Sequence, residues 1–235
     1  MRFESALQVG VLQARYKRFF VDVLMTDGCT ITVHCANTGT MRGCSAQGSA
    51  AAISLHGKPD RKLPGTLELV EVAGVWVGVH PVRANRIVAE ACAAGNVERW
   101  AGLSVLRREV VVPGCASRFD LALGDAEGER WLVEVKSVSW VEDGVGRFPD
   151  AKSERARRHA DELAMLARSG VQVAMLFCVQ RADVREVRPA WEVDPAYGAA
   201  LVAARDAGVA LLAFACDVSL EGISLARELP VVLDL

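Results

Sequence analysis

The sequence predicts a two-domain α+β chain: an N-terminal OB-fold-like β-barrel over residues 1–80, then an α/β domain of mixed sheet and flanking helices over residues 81–235. Three observations carry this. The first segment alternates apolar and polar residues with a period of two. Near His80–Pro81 the period switches to that of a helix. Beyond it, strand-like and helix-like runs alternate.

In the first segment, short β-branched runs follow one another without a helix: QVGVLQARY, FFVDVLMT, TITVHCA, AAISLH, TLELVEV and VWVGVH. Turn signals at Asp27–Gly28, Gly57–Lys58–Pro59 and Ala73–Gly74 bound them. Short strands without crossover helices close most simply into a small barrel, and the OB-fold is the common architecture of that size. From Val82 onward, ANRIVAEACAAG is apolar at helical spacing, with Gly95 as its stop. Three strand-like runs follow, LSVLRREVVV, SRFDLAL and RWLVEVKSVSW, and then VEDGVGRFPDAK, which reads as a loop. The amphipathic SERARRHADELAMLARSG predicts a helix ending at Gly170. A strand (VQVAMLFCVQ), a helix (PAYGAALVAARDAG) and a strand (VALLAFACDVS) complete the order, which implies a sheet with a parallel component. A helix-turn-helix over His159–Val179 is excluded, because its recognition helix would be the buried strand after Gly170.

Composition bounds the function. The chain has 235 residues, 51% of them apolar and 24% charged, enough for a substantial core. A net charge of -2 gives no whole-molecule attraction to a polyanion, so any nucleic-acid surface must be a local patch. The opening MRFESALQVG lacks a signal-like apolar run, and no stretch approaches the ~20 apolar residues of a membrane span. A cytoplasmic location without a membrane partner is therefore expected. The 7 cysteines form no CxxC pair and read as free thiols. His34, Cys35 and Cys44 match no common zinc module, so no zinc is expected. The chain carries no P-loop, GxGxxG or nucleophile elbow, and no small-molecule cofactor is expected.

The chemistry concentrates in SRFDLAL and LVEVKS. Glu134 and Lys136 lie two apart on one strand and share a face. The intervening GDAEGE predicts a hairpin that brings Asp120 alongside. Charges in a strand otherwise built of Leu and Val cost several kcal/mol unless paired or metal-bound. Two facing carboxylates also repel unless a cation lies between them. Asp120, Glu134 and the Val135 carbonyl are accordingly expected to hold Mg2+ or Mn2+, with Lys136 orienting a water or stabilising transition-state charge. The plainer reading is a salt bridge at a sheet edge.

Supporting residues follow. Glu90, on the helix before the sheet, is a candidate third metal carboxylate. Asn85, five positions earlier, is not expected to share its face and receives no role. Arg155, Arg158, His159 and Glu162 form one polar helix stripe. Facing the acidic site, that stripe would place Arg155, Arg158 and His159 on nucleic-acid phosphates; otherwise it is a solvated face. In the barrel, Arg15, Tyr16, Lys17 and Arg18 interleave basic and aromatic groups as single-strand binders do, with Arg61 and Lys62 extending the patch. Phe19 reads as core. Asn37, Thr38 and Gly39 read as a tight polar turn.

Asp120 and Glu134-x-Lys136, on the second and third strands after a helix, resemble the PD-(D/E)xK nuclease superfamily. The full chain resembles the sugar fermentation stimulation protein A (SfsA) family through RYKRFFVDV, HCANTGTMRGC, RKLPGTLELVEV, VGVHPVRANRIVAEA, LRREV, SRFDLAL, VEVKSVSW, GRFPDA, RRHADEL, LFCVQRAD and VRPAWEVDPAY, in order along almost its whole length. The chain departs from the family pattern at Ala156 and Ala160, around the His of the basic helix. The resemblance implies an OB-like first domain, a nuclease-like second domain, DNA as partner with little sequence preference, and a regulatory link to sugar (maltose) use in bacteria.

Overall fold

Alternating strands in the first segment turn Leu12, Val21, Val23, Val33, Ile53 and Leu67 into a single interior. The computed structural model describes residues 1–57 and 62–234. Strands β1 (Gln8–Tyr16), β2 (Phe20–Met25), β3 (Thr30–His34), β4 (Ala50–Leu55), β5 (Gly65–Val72) and β6 (Val75–Gly78) follow the expected runs closely. Their order is β3-β2-β1-β4-β5-β6, and the pairing of His34 with Thr66 closes β3 onto β5. The result is an OB barrel.

The second segment holds α1 (Arg83–Ala93), a 3-10 turn (Glu98–Trp100), β7 (Ser104–Val111), β8 (Arg118–Asp125) and β9 (Gly128–Val138). It continues with β10 (Val141–Glu142), β11 (Val145–Phe148), α2 (Glu154–Arg168), β12 (Val173–Val179), β13 (Glu186–Pro189), α3 (Pro195–Asp206), β14 (Ala210–Val218) and β15 (Ile223–Leu229). The main sheet runs β15-β14-β12-β9-β8-β7; β12 is parallel to both β9 and β14, and the outer pairs are antiparallel. The expected loop after β9 instead contributes β10 and β11 to a second small sheet, β10-β11-β13. Helices α2 and α3 start on side-chain caps: Ser153 Oγ accepts from Ala156 N at 3.1 Å, and Asp194 Oδ1 from Tyr197 N at 3.0 Å. No helix among the described residues is long and apolar enough to cross a membrane.

Two cores flank the main sheet. Leu163 of α2 and Leu201 of α3 pack with Phe177 and Met175 on one face. On the other, Ile87 and Val88 of α1 pack with Leu121, Val133 and Leu176. That second core also takes in Ala52 and Leu69 of the barrel, so the two domains share an interior. Met1 joins it too: its ammonium donates to the Ile223 carbonyl at 2.6 Å, and Arg2 bridges Gly222. The first residues therefore pack on the second domain, although sequence order assigns them to the first. A further tie is Asp150, whose Oδ2 accepts from Thr40 Oγ1 at 3.1 Å and Met41 N at 3.2 Å.

Candidate metal and nucleic-acid site

The β8–β9 ladder ends with Leu121 opposite Val133. Past that pair the Asp120 carboxylate takes the place of a strand carbonyl: its Oδ2 accepts from Val135 N at 2.7 Å. Its other oxygen, Oδ1, accepts from Asn85 Nδ2 at 2.6 Å, which ties α1 to the split between the strands. Glu134 and Lys136 project from β9 onto the α2 side, where Lys136 Nζ donates to Glu134 Oε1 at 2.7 Å. His159 of α2 meets the same oxygen through Nδ1 at 2.5 Å. Arg155 Nε donates to His159 Nε2 at 3.4 Å, so Nε2 acts as acceptor and the ring proton sits on Nδ1, aimed at Glu134. The relay runs Arg155 to His159 to Glu134, with Lys136 closing it from the strand.

These groups are withdrawn from water: Glu134 is 3% exposed, Lys136 8% and His159 2%. Glu134 Oε2 is buried and finds no hydrogen-bond partner among the described residues. Burial pushes the Glu134 carboxyl up, but the His159 hydrogen bond and the Lys136 charge outweigh it and hold it below the ordinary carboxylate range. Asp120 goes the other way. Burial first, then repulsion from Glu134, drives it up to about 7 against the opposing bonds from Val135 and Asn85. Among the described residues no three His, Cys, Asp or Glu side chains cluster so as to hold a metal. A cation here would rest on two carboxylates supplemented by backbone and water oxygens, which suits Mg2+ or Mn2+.

Glu90 does not join this site. Five residues of helix turn it roughly 140° from Asn85, and its carboxylate binds the Met1 ammonium at 2.9 Å and Arg86 at 2.7 Å. Asn85, left without a role by sequence, is the α1 residue that reaches Asp120. Of the helix stripe, His159 meets Glu134, where it is buried rather than presented to a phosphate. Arg155 and Arg158 remain exposed at the rim, Arg158 Nε donating to Ser117 Oγ at 3.3 Å.

Arg15 is corrected similarly. Its guanidinium donates to the carbonyls of Asn37 and Gly39, both at 2.8 Å, Thr40 at 3.2 Å and Arg18 at 3.3 Å, so it builds the Asn37–Thr40 turn instead of offering a free cation. Tyr16 stacks on Phe20 with centroids 5.6 Å apart, and its hydroxyl donates to Asp22 at 3.2 Å. Lys17 and Arg18 are exposed at the β1–β2 tip in left-handed backbone, with φ of 49° and 64°. Phe19, expected in the core, is 46% exposed there: the tight turn carries it outward. Lys62 is exposed, and Arg61 lies outside the described residues.

Between the domains lies a cleft of about 410 Å³. The barrel contributes Arg18 and Asn37–Gly39; the second domain contributes Val135–Trp140 of the β9 end and Arg147–Ser153. Lys136 thus has buried Glu134 on one side and the cleft on the other.

The chain resembles known proteins over almost its whole length. Residues 14–79 match the family profile described as "SfsA N-terminal OB domain", and residues 82–222 match "Sugar fermentation stimulation protein RE domain". A sugar fermentation stimulation protein homolog of Alkalilimnicola ehrlichii is 52% identical over 98% of this chain and 99% of its own. The homolog of Pseudomonas aeruginosa is 46% identical over 98% of this chain and 99% of its own. Among solved structures, Pyrococcus furiosus SfsA in complex with Ca2+ superimposes with a TM-score of 0.88 at 25% identity, covering 99% of this chain and 98% of that one.

Proposed function

This chain belongs to the sugar fermentation stimulation protein family, and from that premise we propose that it binds DNA with little sequence preference and carries a divalent-metal phosphodiesterase site on Asp120, Glu134 and Lys136. The observation that supports this most is the buried Glu134–Lys136–His159 cluster beside Asp120, at the end of strands otherwise apolar. A fold gains nothing from charges placed there for stability alone, since hydrophobic replacements of buried ion pairs are commonly neutral or stabilising.

The donor set fits a hard divalent cation: an orphaned buried oxygen on Glu134, and a second carboxylate raised first by burial and then by its neighbour's charge. The Val135 carbonyl leaves the strand on the same side as the N–H that meets Asp120. The solved structure of Pyrococcus furiosus SfsA, in complex with Ca2+, supports the same class of ion. Bound there, Mg2+ or Mn2+ would polarise a phosphodiester and acidify its water. Asn85 and the Val135 N–H fix the Asp120 carboxylate; His159, held by Arg155, fixes Glu134. Lys136, open to the cleft, donates to a non-bridging phosphate oxygen or to the attacking water. A role for this chain in regulating sugar use, which the family's name points to, would on this reading work through DNA binding.

A second reading, a non-catalytic DNA-binding regulator on a nuclease fold, is favoured by one observation: with Glu90 committed to Met1 and Arg86, only two carboxylates remain at the site among the described residues. Incubation of the pure protein with single-stranded, duplex and flapped DNA and Mn2+ separates the two. The nuclease reading expects cleavage that Lys136→Ala lowers by at least about 100-fold. Identical products from wild type and Lys136→Ala would sink it, and binding that survives EDTA would leave the regulator.

A further inference from the structure

We infer, resting on the DNA-binding reading above, that the substrate is a single DNA strand drawn through the interdomain cleft, not a duplex lying on the surface. The burial of the site carries this. With Lys136 8% exposed and Glu134 3%, a phosphate that meets them must enter the cleft beside them. Kinking duplex DNA so that one backbone phosphate reaches into a recess carries a deformation cost that a flexible single strand avoids. A cleft of about 410 Å³ is the size of a small-molecule pocket. Its size suits a flexible strand with its bases turned out better than a double helix.

The walls suit that guest. Arg18 stands on the barrel side; Arg147 and Lys152 stand on the other, and all three line the same space as Lys136. Arg147 is held only loosely, 3.7 Å from Glu142 and 3.7 Å from Glu192, so a phosphate can compete for it. Asp150, the acidic residue of the lining, already accepts from Thr40 and Met41 and holds the roof formed by the Asn37–Thr40 turn. Next to Arg18, Phe19 is exposed and the Tyr16–Phe20 stack is at hand, giving flat surfaces for unstacked bases. Because chain segments from both domains enclose the space, the strand's path from barrel to Lys136 is set by the docking of the two domains.

The test measures binding by fluorescence anisotropy in Ca2+, using a labelled oligo-dT of about 30 nucleotides and a blunt duplex of the same length. Cleavage is followed in Mn2+ on the strand, the duplex and a fork. The strand is expected to bind at least about tenfold tighter than the duplex, and the fork to be cut in its single-stranded arm. Arg18→Asn, chosen because Asn tolerates the left-handed φ of 64° at that turn, and Lys152→Ala should each weaken strand binding and shallow its salt slope by about one. Phe19→Ala should cost about tenfold in strand affinity at unchanged salt slope. Equal binding and cleavage of the blunt duplex would overturn the single-strand inference and leave the DNA-binding reading standing. Absence of binding to every DNA would overturn both.

Discussion

Asp120, Glu134 and Lys136 stand out in the sequence because a charge in an apolar strand is physically anomalous, whatever its purpose. Their partners do not stand out. Asn85 carries no charge, and its contact with Asp120 spans 35 residues of chain. Glu90 carries the right chemistry on the wrong side of the helix; residue type alone does not set azimuth. Arg15 looks like a phosphate grip until the carbonyls that saturate it are seen. These placements give a sharp expectation: Asn85→Ala weakens Mn2+ binding severalfold by calorimetric titration, by freeing the Asp120 carboxylate, whereas Glu90→Gln leaves it unchanged. The reverse pattern would restore Glu90 as a ligand. Proton competition gives a second. Asp120 sits at about 7 from burial and the Glu134 charge, so a cation must displace its proton below neutrality. Mn2+ affinity should fall by up to about tenfold per pH unit as pH drops below 7 and level off above it. The sign for stability follows: the folded chain holds a proton that the unfolded chain has released, so the metal-free protein loses stability as pH rises from about 4 to 7. Asp120→Asn removes that slope; an unchanged slope in thermal melts across the window would contradict it.

Elements with clean periodicity were legible: β1 to β6, both long helices and the buried strand β12 lie where alternation or helical spacing puts them. Those the sequence hides are an edge strand and strands too short to show a period. β15 carries Ser224, Arg227 and Glu228 on a strand paired along one side only, the usual way to blunt an edge. β11 and β13 are four residues each, both interrupted by Gly or Pro, too short to show a period. Between elements, the Asn37–Thr40 turn is fitted to Asp150 with no space to spare. A Cβ added at Gly39 would lie 2.5 Å from Asp150 Oδ2 and 2.6 Å from Oδ1. Gly39→Ala should push the carboxylate off Thr40 and Met41 and cost roughly 1–3 kcal/mol in denaturant unfolding. Adding Asp150→Ala should recover part of that loss, since the clash then has no partner. A fully additive double variant would show that the contact does not hold the domains together.

At the scale of the molecule, the sequence presents the OB barrel and the mixed sheet as separate domains, with the change of period near His80 between them. Their shared interior was not foreseeable, because Ala52, Leu69 and Met1 read locally as barrel or terminus but pack with Ile87, Val133 and Phe214. One core spanning both domains should unfold as one. Scanning calorimetry is expected to show a single transition with equal calorimetric and van't Hoff enthalpies; two resolved peaks would mean that the barrel is docked only loosely. That docking also positions Arg18 and the Asn37–Thr40 turn over Lys136, so the site belongs to neither domain alone. The direct test of the whole account is an anomalous difference map from a crystal soaked in Mn2+. A peak at about 2.1 Å from carboxylate oxygens of both Asp120 and Glu134 is expected, and it should vanish in Glu134→Gln. A well-ordered crystal with no peak there, or with manganese on Glu90 instead, would contradict it.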